Sequence, residues 1–109
     1  MFEHIRIGEA VLVKIGENLD EVTSPKLRTY LHSLIDQGLK HIVLDMEKVS
    51  FAASCGLGVL CEINDLMEDE HGWLRLANIK PVLMEVISFV MLTDVLTIFD
   101  KVEDALTAD

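Results

Sequence analysis

The order of strand-like and helix-like segments predicts an α/β fold built on a mixed sheet. Hydrophobic periodicity gives the order β β α β α β α β α along the 109 residues. Strands that alternate with helices imply crossover connections, parallel pairing and at least one sheet face covered by helices. The first two strands follow each other directly and form a hairpin, so one pair is antiparallel and the sheet is mixed.

The first half of the chain supplies the hairpin and one amphipathic helix. Segments 4–10 ("HIRIGEA") and 10–16 ("AVLVKIG") are the predicted strands, with a turn around Gly8 and Glu9. Ser24 is the predicted N-cap of the first helix, and Pro25 takes its first helical position. Gly38 ends this helix. Its apolar stripe consists of Leu27, Leu31, Leu34 and Ile35.

The second half repeats the strand–helix unit. Segment 40–46 ("KHIVLDM") has consecutive apolar residues, which is typical of a strand covered on both faces. A helix over 55–70, an alternating strand over 73–79, a helix from Pro81, a short strand over 96–99 and a closing helical turn follow. The helix from Pro81 has a predicted core stripe of Val82, Leu83, Val86, Ile87, Val90 and Met91.

Composition narrows the classes of partner. One domain fits the length of 109 residues, and 19 acidic against 9 basic residues give a net charge of −10. Such a surface repels phosphate backbones and anionic lipid, so we expect neither nucleic acid nor membrane as a partner. The most apolar run, 81–92, contains Glu85 and falls short of the roughly 20 residues of a bilayer span.

The two cysteines indicate reduced thiols. Cys55 and Cys61 are six apart in one predicted helix, where their side chains point about 120° apart and cannot form a bridge. No secretory signal opens the chain, so we expect a cytoplasmic protein. No histidine–cysteine spacing of a metal site occurs, and we expect no metal and no cofactor.

The stretch "SFAASCGLGVL" (50–60) is the most unusual part of the sequence, because small residues cluster where a helix begins. It lacks the three glycines of a dinucleotide fingerprint and the Gly-Lys-Ser/Thr of a P-loop. A catalytic nucleophile at Ser54 or Cys55 has no local partner, although a histidine could arrive from elsewhere in the fold. The structural interpretation makes Ser54 an N-cap and lets Gly56 and Gly58 bring the helix close to a neighbouring strand.

The same stretch resembles the signature of STAS domains, in particular the bacterial anti-sigma factor antagonists. The run "HIVLDMEKVSFAASCGLGVL" is similar to their strand, Val-x-Phe link and Asp-Ser-Ser-Gly-Leu-Gly helix start. The segment "GENLDEVTSPKL" is similar to their Gly-Glu-Leu-Asp-x-x-Thr-Ala-Pro-x-Leu, with one extra residue near Asn18, and the tail ends in "VEDAL". The resemblance covers nearly the whole chain and implies a single domain over 1–109. It also implies four or five strands, with helices mostly on one face.

The resemblance also implies a function. Members of this group are not enzymes: the unmodified protein binds an anti-sigma factor that is a serine kinase and thereby frees a sigma factor. The kinase phosphorylates one serine, here Ser54, the complex dissociates, and a serine phosphatase resets the system. Unbound, such a protein is expected to be a monomer. The partner-binding residues implied are Asp20, Glu21, Thr23, Ser24, Ala53, Cys55, Gly56, Leu57 and Gly58.

Two positions depart from the family pattern. Ala53 replaces its aspartate and Cys55 its second serine, so a carboxylate beside the acceptor hydroxyl is lost while the hydroxyl of Ser54 remains. Altered kinase recognition and a branch that binds constitutively both stay open. The alternative function is that of a STAS accessory subunit in a lipid-transport ATPase complex, without kinase control.

Overall fold

A five-stranded mixed sheet organises the protein, as a computed structural model of residues 1–108 shows; Asp109, the last residue of the predicted domain, lies outside the described residues. The strands are β1 (Phe2–Ile7), β2 (Ala10–Ile15), β3 (His41–Asp45), β4 (Trp73–Ala77) and β5 (Thr97–Phe99), in that spatial order. The predicted hairpin is confirmed, since β1 runs antiparallel to β2. The remaining neighbours pair in parallel.

Helices connect the parallel strands. They are α1 (Thr23–Asp36), α2 (Ser54–Asp69), α3 (Pro81–Phe89) and α4 (Val102–Thr107), with a short 3₁₀ turn at Leu92–Asp94 before β5. Because α1, α2 and α3 each follow a parallel strand, their N-termini lie at the same end of the sheet. The packing of the two sheet faces shows which face each helix covers.

Strand alternation divides the apolar residues between two faces. The larger core joins one face of the sheet to α1, α2 and α3, and includes Val11, Val13, Ile42, Leu44, Leu74 and Leu76 from the strands. The smaller core joins Leu12, Val43 and Ala77 on the other face to Ala105 of α4. The prediction is confirmed, since three helices share one face and the last short helix covers the other.

Helix α1 begins differently from the sequence-based prediction. It starts at Thr23, with Ser24 inside the first turn and fully buried, so Ser24 as N-cap is wrong. The amide of Ser24 donates to the carbonyl of Asp20 at 3.0 Å, and the carboxylate of Asp20 takes the capping role. The physical reason is that Asp20 stands at the start of the same turn and is itself a good cap.

Helix α3 buries less than predicted. Leu83 and Ile87 are buried, whereas Val82, Val86 and Val90 are exposed, as is Met91 just beyond. A helix of nine residues seats only one narrow stripe on the sheet, so the other apolar residues of this largely apolar helix lie in solvent. Within residues 1–108, no helix combines the length and the apolar character that a bilayer crossing requires.

Candidate functional site

The start of α2 presents Ser54 to solvent. Ala53, in extended conformation (φ −71°, ψ 168°), is the N-cap, and Ser54 is the first helical residue rather than the predicted N-cap. A methyl group cannot cap amides, and no side chain caps this helix start. The intrahelical hydrogen bonds begin with Leu57 N donating to Ala53 O at 3.0 Å. The amides before Leu57 therefore form the positive end of the helix dipole beside an exposed hydroxyl.

Small residues surround the hydroxyl of Ser54. Gly58 lies one turn further along the same helix face and is exposed, and a Cβ added there would meet nothing within 4 Å. Cys55 is also exposed, and Ala53 and Leu57 are half-buried. A second macromolecule can therefore approach Ser54 closely along this face.

Gly56 has a different role, which is to let two parts of the chain touch. A Cβ at this position would lie 2.8 Å from Leu19 Cβ and 3.2 Å from the Leu19 carbonyl oxygen. The predicted close approach is thus confirmed for Gly56 alone, and the neighbour is the segment before α1 rather than a strand. Gly58 needs no such freedom, because its surroundings are open.

Two loops are hydrogen-bonded together beneath the helix start. The amide oxygen of Asn18 accepts from Ser50 N at 2.7 Å and from Phe51 N at 3.1 Å. The backbone of Leu19 continues the pairing, donating to Phe51 O at 3.0 Å and accepting from Ala53 N at 2.7 Å. The segment that leads into Ser54 is therefore held by four hydrogen bonds to Asn18 and Leu19. Sequence patterns missed Asn18, because its partners lie more than thirty residues away.

Asp20 and Thr23 cap α1 reciprocally. The Asp20 carboxylate accepts from Val22 N at 2.9 Å and Thr23 N at 2.8 Å, while Thr23 Oγ1 accepts from Asp20 N at 3.0 Å. Hydrogen bonds from the amides of Thr23 and Val22 hold the pKa of Asp20 below its ordinary value. The Cys55 thiol donates to the Asp20 carbonyl oxygen at 3.7 Å, so this turn lies directly against the start of α2.

Burial separates the residues named from the sequence into two groups. Ser54, Cys55, Gly58 and Glu21 are exposed, with Asp20, Ala53 and Leu57 half-buried. Thr23, Ser24 and Gly56 are buried, so they expose little surface of their own. Their positions shape the α1–α2 junction, and Ser24 Oγ is buried there without a hydrogen-bond partner.

An ion pair joins α1 to α2 two turns beyond Ser54. Arg28 Nε donates to both carboxylate oxygens of Glu62, at 2.8 and 3.0 Å, and His32 Nε2 lies 3.2 Å from the same carboxylate. The hydrogen bond from Arg28 and then that from His32 lower the pKa of Glu62. The pair links the two helices at the surface.

The potential metal ligands and the thiols complete the description of the site. Among residues 1–108, no three His, Cys, Asp or Glu side chains are placed to hold a metal ion. Both cysteines are free thiols, and burial raises the pKa of Cys61. The fold and the site define a small α/β domain whose distinctive group is a serine on an exposed, uncapped helix start. The family model described as "STAS domain" matches residues 2–105, and the chain belongs to that family.

Named relatives share this fold. The chain is 26% identical over 98 residues to a Paenibacillus polymyxa protein named "Anti-sigma F factor antagonist", covering 89% of this chain and 84% of the relative. A crystal structure of an anti-sigma factor antagonist from Mycobacterium paratuberculosis superposes with a TM-score of 0.89 at 22% identity, covering 99% and 92% of the two chains. The Bacillus cell fate determinant SpoIIAA in its phosphorylated form gives 0.73 at 24% identity, covering 97% and 96%.

Proposed function

We propose that this chain is a cytoplasmic anti-sigma factor antagonist that works by partner switching and has no catalytic activity of its own. Unmodified, it binds an anti-sigma factor that is a serine kinase; phosphorylation of Ser54 releases it, and a serine phosphatase restores it. The observation that carries the proposal is the exposed Ser54 at the uncapped start of α2 in a STAS domain. The name of the Paenibacillus polymyxa relative agrees with it.

The fold tolerates a phosphate at Ser54. The negative group would lie beside the first amides of α2, where the helix dipole favours an anion by about 0.3–1 kcal/mol. The side chain is exposed, so no core packing changes. Gly58 and Cys55 leave room for the larger group.

A docked partner does not tolerate the same group. Phosphorylation adds a charge of about −1.5 to −2, and a partner that covers Ser54 must desolvate it. An uncompensated charge in an interface costs several kcal/mol, and each 1.4 kcal/mol is about tenfold in affinity. A loss of about a hundredfold or more follows, while the domain stays folded.

Ala53, which replaces the family's aspartate, affects how a kinase would recognise Ser54. Ala53 occupies the N-cap, so the family's aspartate would both cap α2 and place a carboxylate next to Ser54. We infer that the kinase recognises the exposed hydroxyl and the small residues around it, and that the missing carboxylate lowers the rate of transfer.

A phosphorylation assay tests the proposal. The wild-type chain, incubated with ATP and its purified anti-sigma kinase, should gain one phosphate, and Ser54→Ala should gain none. Ser50→Ala is the matched control, because Ser50 is an exposed serine four residues earlier, and it should be labelled like the wild type. Labelling of Ser54→Ala would contradict the assignment.

The transport alternative makes an opposite prediction. An accessory subunit of a lipid-transport ATPase complex would bind its ATPase without any phosphate transfer, and Ser54→Ala would bind as well as the wild type. Binding to such an ATPase with no labelling by any anti-sigma kinase would replace the present proposal.

A further inference from the structure

The outer side of α3 carries an apolar surface that no other part of the described chain covers. Val82, Val86, Phe89 and Val90 follow the spacing i, i+4, i+7, i+8 and form one stripe, the α3 stripe. Their exposures are 57%, 43%, 88% and 46%. Met91 lies just beyond and is also exposed. Large contiguous apolar surface of this kind is typical of an interaction site.

The α3 stripe begins at the same end of the sheet as the Ser54 surface. The N-termini of α2 and α3 lie at the same end of the sheet, since each helix follows a parallel strand. Lys80, the N-cap of α3, donates from Nζ to Ser50 Oγ at 3.1 Å. Phe51, the next residue toward α2, is 53% exposed. The Lys80–Ser50 hydrogen bond therefore links the start of α3 to the segment that leads into Ser54.

Charge argues against a second copy of this chain as the occupant. Two copies would bring together two net charges of −10. Glu85 is the midpoint of α3 and flanks the α3 stripe, so an antiparallel pair of α3 helices would place two Glu85 carboxylates close together. An acidic lipid surface is repelled for the same reason. A protein surface with basic side chains at its border fits best.

We propose that the α3 stripe is a second docking surface for the partner that covers Ser54, and that this partner presents an apolar surface bordered by Lys and Arg side chains. The inference rests on the proposed function, because it assigns the same partner to both surfaces. Contacts at the α3 stripe do not depend on the charge at Ser54. The α3 stripe therefore supplies affinity that phosphorylation leaves in place, and Ser54 supplies the part that is switched.

Binding of designed variants to the purified anti-sigma kinase tests this. The double variant Val86→Gln/Phe89→Gln removes the apolar side chains and keeps good helix formers, and we expect its affinity to fall at least tenfold. The control is Ile5→Thr/Ile7→Thr, which changes two exposed apolar residues (59% and 42%) on β1 at the far edge of the sheet. The control should bind like the wild type, and wild-type affinity should fall as salt rises.

The outcomes separate the two proposals. Binding of the glutamine variant within twofold of the wild type overturns the α3 stripe, even if Ser54→Glu weakens binding as the proposed function requires. If Ser54→Glu binds normally while the glutamine variant does not, the switch fails and the α3 stripe stands. A wild-type dimer in sedimentation that the glutamine variant dissociates makes a second copy the occupant and overturns the inference. If salt does not change the affinity, the Lys and Arg border proposed for the partner is wrong. If no anti-sigma kinase binds the wild type, both proposals are overturned.

Discussion

Replacing Gly56 and Gly58 by alanine, one at a time, should have opposite effects on stability. Both residues lie in the first turns of α2, where alanine is favoured over glycine by about 0.5–1 kcal/mol. At Gly58 the new methyl group meets nothing within 4 Å, so the variant should gain this amount. At Gly56 the methyl would lie 2.8 Å from Leu19 Cβ and 3.2 Å from a backbone oxygen, neither of which can move freely.

The magnitude at Gly56 follows from those contacts. Forcing a methyl group into a filled space typically costs about 1–3 kcal/mol, which exceeds the helical gain. We expect Gly56→Ala to lose about 1–2 kcal/mol in the free energy of unfolding, and the two variants to differ by roughly 2 kcal/mol. Urea denaturation followed by circular dichroism measures both values, and we expect the same dependence of the free energy of unfolding on urea concentration for the two variants.

The pair also tests how closely the partner approaches. Gly58→Ala should fold at least as stably as the wild type, yet bind the anti-sigma kinase more weakly, because its methyl group lies on the exposed face next to Ser54. A Gly56→Ala variant as stable as the wild type would refute the account of the α1–α2 junction. Undiminished kinase binding by Gly58→Ala would refute close contact on that face.

Three further substitutions test other parts of the structure. Ala53→Asp should stabilise the protein by about 0.5–2 kcal/mol, seen as a higher melting temperature, because it caps α2, and it should also speed phosphate transfer. Asn18→Ala should lower the free energy of unfolding by about 1 kcal/mol. Hydrogen exchange should also be faster at the backbone amides of Ser50 and Phe51, which donate to the Asn18 side chain. In the wild type, the lowered pKa of Glu62 gives stability at neutral pH that is lost as the pH falls through the pKa of Glu62 in the folded protein. The melting temperature of Glu62→Gln should therefore fall less on acidification than that of the wild type. The first prediction is contradicted if Ala53→Asp melts at the wild-type temperature, and the second if Asn18→Ala leaves the exchange rates unchanged. The third is contradicted if Glu62→Gln shows the wild-type dependence of melting temperature on pH.

Hydrophobic periodicity predicted the order of the five strands and four α-helices, because the side chains that fill a core repeat with the period of their element. The 3₁₀ turn at Leu92–Asp94 was not predicted, and β1 is Phe2–Ile7 rather than residues 4–10. Helix caps were harder. Ser24 has the right type and a following proline, but Asp20 offers an equally good cap four residues earlier, and only the backbone conformation decides between them. Likewise the N-cap of α2 is Ala53, a residue with no capping side chain.

Other parts of the site depend on contacts between distant segments. The hydrogen bonds of Asn18 to Ser50 and Phe51 leave no trace in local spacing. The sequence of α3 could not show which apolar residues face the sheet, since apolar residues occupy every part of the helix surface except the side of Glu85 and Ser88. The resemblance singled out Ser54, but neither its exposure nor the burial of Ser24 could be read from the sequence.

One phosphate at Ser54 is proposed to weaken docking at least a hundredfold and to leave the fold intact. The most direct test of this proposal is titration calorimetry of the anti-sigma kinase with the unmodified chain and with the chain phosphorylated at Ser54 alone, together with the melting temperatures of both forms. We predict at least a hundredfold weaker binding by the phosphorylated form and melting temperatures within a few degrees of each other. Equal affinities, or a phosphorylated chain that no longer folds, would contradict it.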